Sequence, residues 1–275
     1  METPIYEVNA FYKAIVINRP SKKIKSPYLA DIKIFDENDN IVENEELAHS
    51  PALGCCGLIQ KDTIVYVVLD NDEKSKRKSK YTIFNIQIEN PPIIIGVHPN
   101  SANTMFENIL KLNLLDDFND LKSYKREKTV LNSRIDFFIE KEDLNIYAEI
   151  KNVPLADYVD VPKKDRKKYD NDSYNEYEKI AIFPDGYRKN MNDPVSPRAL
   201  KHICDLMELQ KNENTQSYLI YMIQRSDVKY FKPTILDKIY HDKFYEAMES
   251  GVKVIPISVL WKNNKAYFNG IIEIV

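Results

Sequence analysis

The chain has 275 residues, a length that allows one large domain or two modest ones, each with its own core. Its composition, 43% hydrophobic and 29% charged residues, is that of an ordinary globular protein, and a net charge of −3 gives no general attraction to nucleic acid. No run approaches the ~20 apolar residues of a membrane span or resembles a signal peptide, so we expect a cytoplasmic or nuclear protein without a membrane partner.

Cysteine and histidine content predicts neither a disulfide framework nor a zinc site. Cys55, Cys56 and Cys204 form no CxxC pair, and their odd number argues against a disulfide-stabilised fold, so we expect reduced thiols. The 4 histidines are too dispersed for a zinc-ligand pattern.

Residues 1–95 contain strand signals almost exclusively. Runs rich in β-branched and aromatic residues alternate with Pro, Asn, Asp and Lys clusters, and they occupy 11–18, 28–35, 62–70 and 80–89. Several short strands without a helix predict a small barrel or sandwich as the first domain.

A second domain is predicted over residues 96–275. Apolar residues recur with helical spacing after Thr104, which has capping-box spacing to Glu107, so we expect a helix that begins at Thr104. Ser196 is a good N-cap with Pro197 at the first helical position of a later helix.

The remaining elements complete an α/β pattern. We predict strands at 123–130, 133–140, 145–152 and 217–224, a helix at 235–249 and a closing hairpin at 252–275. This order describes a mixed sheet flanked by helices. A charged insertion at about 156–179 has both signs of charge and few aliphatic residues, which predicts a mobile surface segment.

Basic residues cluster in two stretches that can bind phosphate locally. The first cluster comprises Lys74, Lys76, Arg77, Lys78 and Lys80, and the second comprises Lys163, Lys164, Arg166, Lys167 and Lys168. The alternative is that these stretches are solvated loops.

The segment 132–152 carries the strongest chemical signal. Side chains alternate along a strand, so Glu149 and Lys151 point to the same face. If the two strands fold back about residues 142–143, Asp136 lies opposite Glu149. Two carboxylates at roughly 5 Å repel by about 3 kcal/mol at an effective dielectric of about 20, so a positive partner is expected between them.

The alternative for these charges is the wet face of an ordinary hairpin. Apolar residues occupy both faces of these two strands, however, which predicts burial on each side, and buried charges need partners. A divalent cation held by Asp136 and Glu149, with Lys151 beside it, satisfies them, and Mg²⁺ or Mn²⁺ fits oxygen ligands best.

This layout resembles the PD-(D/E)XK nuclease superfamily, and the detailed resemblance is to the SfsA (sugar fermentation stimulation protein A) family. The blocks that carry it are YLADI at 28–32, HSPALG at 49–54, SKYT at 79–82, IGV at 95–97 followed by Asn103 and Glu107, NSRIDF at 132–137, AEIKNVPL at 148–155, AIFPD at 181–185, LKHICDL at 200–206 and QRSDVKYFKP at 224–233.

The resemblance implies a small OB-like β-barrel ahead of a PD-(D/E)XK nuclease-like domain, with DNA binding and a metal-dependent nuclease activity on DNA or RNA. Asp136 and Glu149 match the metal-binding acids and Lys151 the catalytic lysine, while Glu107 matches an acid on the preceding helix. For Glu107 the capping box stays open as an alternative. Asp185 belongs to a matching block near the site, although it can equally hold a turn.

Nucleic-acid contacts are predicted from basic residues and from the matching blocks. They are Lys76, Arg77, Lys78, Lys80, Arg134, Lys201 and His202, the last of which can also simply pack. Three departures from the family pattern affect these contacts: HSPALG lacks the usual Asn, SPRALKH lacks the RG before KH, and the 156–179 insertion is long.

The sequence therefore favours a Mg²⁺- or Mn²⁺-dependent nuclease. Tyr and Phe side chains in an OB-like groove suit stacking of single-stranded bases. The alternatives are a DNA-binding regulatory protein without nuclease turnover and, less favoured, a protein-interaction scaffold.

Overall fold

The computed structural model describes residues 3–51, 57–70, 77–88, 92–131, 133–166, 168–169, 179–186, 188, 190 and 193–275. The strands are β1 (Tyr6–Glu7), β2 (Tyr12–Asn18), β3 (Leu29–Phe35), β4 (Ile41–His49), β5 (Ile64–Leu69), β6 (Tyr81–Ile88), β7 (Ile93–Gly96), β8 (Ser123–Val130), β9 (Ser133–Glu140), β10 (Asn145–Val153), β11 (Ala156–Asp157), β12 (Ile180–Phe183), β13 (Thr215–Ile223), β14 (Tyr230–Pro233), β15 (Lys253–Lys262), β16 (Lys265–Ile271) and β17 (Glu273–Ile274). The helices are α1 (Pro99–Lys111), α2 (Lys163–Arg166), α3 (Pro197–Gln210) and α4 (Lys238–Glu249).

The N-terminal strands form a half-barrel-like sheet in the order β4-β3-β2-β5-β6-β7. Strand β4 also pairs in parallel with β6, with His49 opposite Thr82, so the sheet curls back on itself. Its concave side buries alternate apolar residues of β2, β3, β5 and β6. The sheet was predicted, but β4 was not, because residues 41–46 are mostly exposed and show no apolar alternation.

A mixed sheet of seven strands, in the order β1-β16-β15-β13-β10-β9-β8, forms the larger part of the molecule. Strand β13 lies in its middle, parallel to β10 and β15, and its residues are buried on both faces. Side chains of α1 pack on one face and those of α3 and α4 on the other. The fold is therefore a sheet-dominated α+β arrangement, with the central strands enclosed by helices.

The two chain ends tie the sheets together. Strand β1 pairs with β16, and Ile5 and Val8 are buried in the core beneath α1. A boundary drawn along the sequence at residue 95 therefore does not separate the two sheets. At the other end, β17 leaves the closing hairpin and joins a four-stranded sheet in the order β11-β12-β14-β17, which the sequence patterns did not predict.

Helix α1 begins five residues earlier than predicted. Its N-cap is His98 and Pro99 occupies the first turn, whereas Thr104 and Glu107 lie in the middle of the helix. The expected capping box is therefore wrong, because Pro99 already fixes the helical backbone angle at the start. By contrast, Ser196 caps α3 as predicted, accepting a hydrogen bond from the Ala199 backbone amide at 3.2 Å. None of the described helices has the length and apolarity that a membrane crossing requires.

The entrance to α1 is fixed by the buried side chain of Gln224. Its Nε2 donates to Asn152 Oδ1 and, at 3.0 Å, to Ser101 Oγ, and its Oε1 accepts from Trp261 Nε1 at 3.3 Å. Gly96 lies directly against this amide and donates its backbone N–H to the Gln224 carbonyl at 2.9 Å. The network connects the start of α1 with β10 and β15.

Replacing Gly96 by alanine should destabilise the protein by about 1–3 kcal/mol, the usual cost of overpacking a well-packed interior. A methyl group there would overlap the Gln224 amide oxygen and lie 2.5 Å from Trp261 Nε1. Chemical denaturation measures the loss. Gly186→Ala is the control, since its methyl group would meet Val195 Cγ1 at 3.3 Å, and equal stability of the two variants would contradict the close packing at Gly96.

Candidate functional site

The hairpin of β9 and β10 has the predicted register. Asn145 lies opposite Glu140 and Ala148 opposite Phe137, so the next pair along is Glu149 with Asp136. The regular pairing ends there, and Asp136 Oδ2 instead accepts the backbone N–H of Ile150 at 2.8 Å. The carboxylate is thus inserted where the two strands separate.

Asp136 is held from the other side by helix α1. Asn103 Nδ2 donates to Asp136 Oδ1 at 2.9 Å, so both carboxylate oxygens have a neutral donor. Burial raises the pKa of Asp136 above its usual value, and the nearby Glu149 carboxylate raises it further against the opposing effect of the Ile150 amide. Asp136 is therefore a carboxylate that gains from a nearby cation.

Glu149 is only 2% exposed and is paired with two basic side chains. Lys151 Nζ lies 2.5 Å from Glu149 Oε1, and the buried ring of His202 on α3 hydrogen-bonds the same oxygen through Nδ1. Burial alone would raise the pKa of Glu149, but the Lys151 ammonium and His202 hold the pKa below its usual value. Because Glu149 is ionised, His202 Nδ1 must be the donor.

The second oxygen of Glu149, Oε2, is buried without a hydrogen-bond partner in the described structure. An unsatisfied buried carboxylate oxygen costs about 1–3 kcal/mol or more, so this atom calls for a cation or donor that the chain itself does not supply.

These side chains line a polar cleft of about 360 Å³, the first cleft. Its functional side chains are Asn100, Asn103, Glu127, Arg134, Asp136, Glu149, Lys151 and Arg198. Arg134 and Arg198 are both exposed, and Lys151 contributes a third positive charge at the floor. A buried and a half-buried carboxylate with basic groups around them are suited to a divalent cation and an anionic oxygen ligand.

Glu107 is not part of this cleft. Its carboxylate accepts from Tyr124 Oη at 2.9 Å and pairs with Arg126 at 3.1 Å and Lys111 at 3.0 Å. Within the described residues, no group of three His, Cys, Asp or Glu side chains is arranged to hold a metal ion. The structure therefore does not bring Glu107 together with Asp136 and Glu149, because one helical turn separates it from Asn103, the residue that faces them.

The other predicted contacts are spread over the surface. Arg134 lines the first cleft and lies 3.5 Å from Glu127. Lys80 is exposed and paired with Glu46 at 2.9 Å, and Lys78 and Lys201 are also exposed. Asp185 does not line the cleft, and its carboxylate lies 3.7 Å from Arg166.

The predicted contacts Lys76 and His202 have different outcomes. Lys76 lies outside the described residues, as do Cys55, Cys56 and most of the 167–178 part of the insertion. His202, predicted as a nucleic-acid contact or a packing residue, is 4% exposed and hydrogen-bonded to Glu149, so it supports the site from beneath.

Sequence reasoning missed the roles of Asn103 and Arg198. Asn103 was noted only as a member of a family block, yet it lies one helical turn before Glu107 and is the α1 residue that contacts Asp136. Had the helix been started at Pro99, the face that carries Asn103 would have been predicted correctly. Arg198 lies in the first turn of α3 and lines the cleft, a position that follows from its place directly after Pro197 at the start of the helix.

A divalent cation fits the residues present. Asp136 and Glu149 supply two carboxylates, of which Glu149 Oε2 has no other partner, and Mg²⁺ is commonly bound by one or two carboxylates together with waters and substrate phosphate. Asp136 and Glu149 are therefore the residues that would hold the ion.

Comparison with known proteins identifies the family. The model of the SfsA family, described as "Sugar fermentation stimulation protein RE domain", matches residues 100–163 and 171–265. A Sugar fermentation stimulation protein homolog from Pelagibacter ubique is 31% identical over 248 residues, 89% of this chain and 90% of that protein. A homolog from Synechocystis is 28% identical over 258 residues, 90% of this chain and 91% of that protein.

The fold also matches that of a solved relative. The structure of Pyrococcus furiosus SfsA in complex with Ca²⁺ superposes with a TM-score of 0.74 at 19% identity, covering 99% of each chain. The likeness extends over both the half-barrel and the mixed sheet. From the family match and the full-length relatives, we conclude that this chain belongs to the SfsA family, named for sugar fermentation stimulation.

Proposed function

We propose that this protein is a metal-dependent nuclease that hydrolyses phosphodiester bonds of DNA or RNA in the first cleft. The observation that carries the proposal is the pair of carboxylates, half-buried Asp136 and buried Glu149, with Lys151 Nζ 2.5 Å from Glu149. A charge cluster of this kind costs folding free energy, so its presence in an open polar cleft favours a chemical role over a structural one.

Each charged side chain has a role in the proposed reaction. Arg134 and Arg198, at the edge of the cleft, bind the phosphate backbone and position it. Lys151 has three N–H donors and uses one on Glu149, which leaves donors for the attacking water or for a phosphate oxygen as negative charge develops. His202 keeps Glu149 in position and ionised.

A divalent ion bound by Asp136 and Glu149 would polarise the phosphate and lower the pKa of water. The Ca²⁺ in the complex of the Pyrococcus relative supports a hard-cation site in this fold. In finer detail, we assign the mixed sheet with α1 and α3 to a PD-(D/E)XK nuclease-like domain and the half-barrel to an OB-like barrel.

Cleavage of end-labelled DNA and RNA with Mg²⁺ or Mn²⁺ tests the activity directly. We expect turnover by the wild-type protein, loss with EDTA, and loss in the Glu149→Ala, Lys151→Ala double variant. Equal cleavage by the double variant would contradict the proposed site.

Binding of the metal itself has a second readout. Mn²⁺ at a hundredfold excess over its dissociation constant should stabilise the folded state by about 2.7 kcal/mol, which raises the melting temperature by about 5 °C in a chain of this size. The Asp136→Asn variant should lose this shift, measured from its own melting temperature in EDTA. A raised pKa means that ionising Asp136 weakens the folded state as pH rises above 3.8, so the amide removes that cost. The amide also replaces one of the two oxygens that accept hydrogen bonds from Ile150 and Asn103, which acts in the opposite direction.

Asp143→Asn is the matched control for this measurement, because Asp143 lies exposed in the turn of the same hairpin. It should keep the full Mn²⁺-dependent shift. A shift of equal size in Asp136→Asn would show that the ion binds elsewhere.

A second candidate, a DNA-binding regulatory protein without turnover, is favoured by one observation. On α1, the residue that contacts Asp136 is the neutral Asn103 rather than a third acid. A gel-shift with DNA, together with no metal-dependent cleavage by the wild-type protein, would support this function over the nuclease.

A further inference from the structure

A second cleft, of about 350 Å³, adjoins the first one. The two clefts share Pro99 and Asn100, so the first turn of α1 separates them. The walls of the second cleft come largely from the half-barrel, including His49 at the end of β4 and Thr82 and Phe84 on β6. A ligand that extends beyond the first cleft past the start of α1 enters the second.

The two clefts differ in how many charged side chains line them. The first has three bases, Lys151, Arg134 and Arg198, and an equal number of acids, Glu127, Asp136 and Glu149. In the described lining of the second, the charged side chains are Asp70 and Arg77, which lie 3.9 Å apart and offset each other. The described lining of the second cleft therefore has no excess positive charge with which to hold another phosphate.

The histidines of the second cleft are neutral as well. Burial lowers the pKa of His98 to about 4, and burial likewise lowers the pKa of His49. Both rings line the cleft, and Nδ1 of each is buried without a hydrogen-bond partner in the described structure. Neutral imidazole rings offer hydrogen bonds without positive charge.

Flat aromatic rings form part of the wall. Phe84 and His98 stack with their ring centroids 4.1 Å apart and their planes at 6°, and Pro51, Val68, Leu69 and Pro99 add apolar side chains to an otherwise polar lining. A neutral, flat group with a polar edge matches this combination of stacked rings and uncharged ring nitrogens. In a nucleic acid that group is the base.

We propose that the second cleft binds one unpaired nucleobase of the strand whose phosphate lies in the first cleft. The proposal rests on the proposed function and deepens it, since a base enters the cleft only when it is unstacked, and taking it out of a duplex costs a few kcal/mol that a single strand does not incur. The favoured substrate class is accordingly single-stranded nucleic acid, with the base next to the cleaved phosphate held against the half-barrel.

The experiment measures the binding of two single-stranded decamers by fluorescence anisotropy in EDTA. One decamer is an ordinary oligonucleotide. The other is abasic, with a tetrahydrofuran sugar at every position, so the two decamers present the same phosphates. The wild-type protein should bind the ordinary decamer about tenfold more tightly, since stacking of one base contributes about 1–3 kcal/mol.

Filling the cleft should remove this preference. Thr82 lines the second cleft but not the first, so Thr82→Trp places a large side chain in the second cleft alone. The affinity ratio of the two decamers should then fall to about 1. The control is Glu43→Trp, at an exposed position of β4 in the same sheet. It should keep the tenfold ratio, and melting curves should confirm that both variants fold.

Three outcomes overturn the proposal. If Thr82→Trp weakens binding of both decamers equally, the second cleft holds a phosphate and not a base. If Thr82→Trp keeps the wild-type ratio while metal-dependent cleavage is normal, the nuclease proposal stands and the base site fails alone. If neither decamer binds and no cleavage occurs, both proposals fail.

Discussion

Replacing Lys151 by methionine should reduce metal-dependent cleavage of DNA or RNA by about 10²–10³-fold or more, the usual loss when one transition-state donor is removed. Methionine keeps most of the packing of the lysine stem but removes the ammonium that lies 2.5 Å from Glu149. Single-turnover cleavage of an end-labelled strand measures the loss. Binding of the same strand in EDTA should change by no more than about threefold, because Lys151 sits at the floor of the cleft and Arg134 and Arg198 carry most of the phosphate contact.

Lys265→Met is the matched control for Lys151→Met. Lys265 also pairs with a glutamate on the mixed sheet, Glu7, at 3.2 Å, but it is 40% exposed and lines neither cleft. Its cleavage rate should equal that of the wild-type protein. If Lys151→Met retains wild-type cleavage, Lys151 has no part in the reaction and the charge cluster needs another explanation.

Replacing Asp227 by asparagine should destabilise the protein by about 3–5 kcal/mol at pH 7, the usual cost of leaving one member of a buried ion pair unpaired. Both oxygens of Asp227 accept from Arg225, each at 2.6 Å, and Lys179 adds a contact at 2.9 Å. Arg225 is only 2% exposed, so the variant leaves a buried guanidinium without its counter-charge. Urea denaturation measures the difference.

The pH dependence of this loss has a definite sign. Burial alone would raise the pKa of Asp227, but Arg225 and Lys179 lower it to about 2 from a usual value of 3.8. A carboxylate with a depressed pKa contributes stability that is complete above 3.8 and disappears as pH falls towards 2. The gap between the wild-type protein and Asp227→Asn should therefore be constant from pH 5 to 7 and narrow below pH 4.

An exposed pair provides the comparison. Asp242 pairs with Lys238 at 2.9 Å on α4, with side-chain exposures of 54% and 84%. Asp242→Asn should leave the free energy of unfolding nearly unchanged, as expected for a solvent-exposed pair. A cost of similar size for Asp227→Asn would mean that the Arg225 pair is screened by water despite its burial.

Much of the mixed sheet was predictable because its strands obey local rules. The apolar runs of β9, β10 and β13 marked strands buried on both faces, and the register of the hairpin followed from the turn at 142–143 alone. The start of α3 was likewise marked by Ser196 and Pro197. These features depend on residues close together in the chain.

The elements that were missed depend on contacts between distant residues. Strand β4 is mostly exposed and is defined by its backbone pairing with β3 and β6. Strands β12, β14 and β17 are two to four residues long, too short for a periodic pattern, and β17 joins β14 across the end of the closing hairpin.

The candidate site likewise combines residues that are close in the chain, which were predicted, with residues that are distant in the chain, which were not. Asp136, Glu149 and Lys151 were predicted together from their spacing on one hairpin, and the structure brings them together. The partners of this group come from elsewhere in the chain: Asn103 from α1 and His202 from α3. Glu107 was assigned to the site through the family resemblance alone, and the structure pairs it with Arg126 and Lys111, while Asn103, one turn earlier on α1, contacts Asp136.

The contact between Gly96 and the Gln224 amide has a consequence for how the family can vary. The residue at 96 and the side chain at 224 share one small space, so neither can grow unless the other shrinks. A relative with alanine at the first position should carry a shorter residue such as serine at the second, and in this chain Gln224→Ser should relieve only part of the cost of Gly96→Ala, because the approach to Trp261 Nε1 at 2.5 Å remains. Substitutions at positions 96 and 224 would then be correlated among members of the family, although neither residue lines the cleft where the chemistry is proposed.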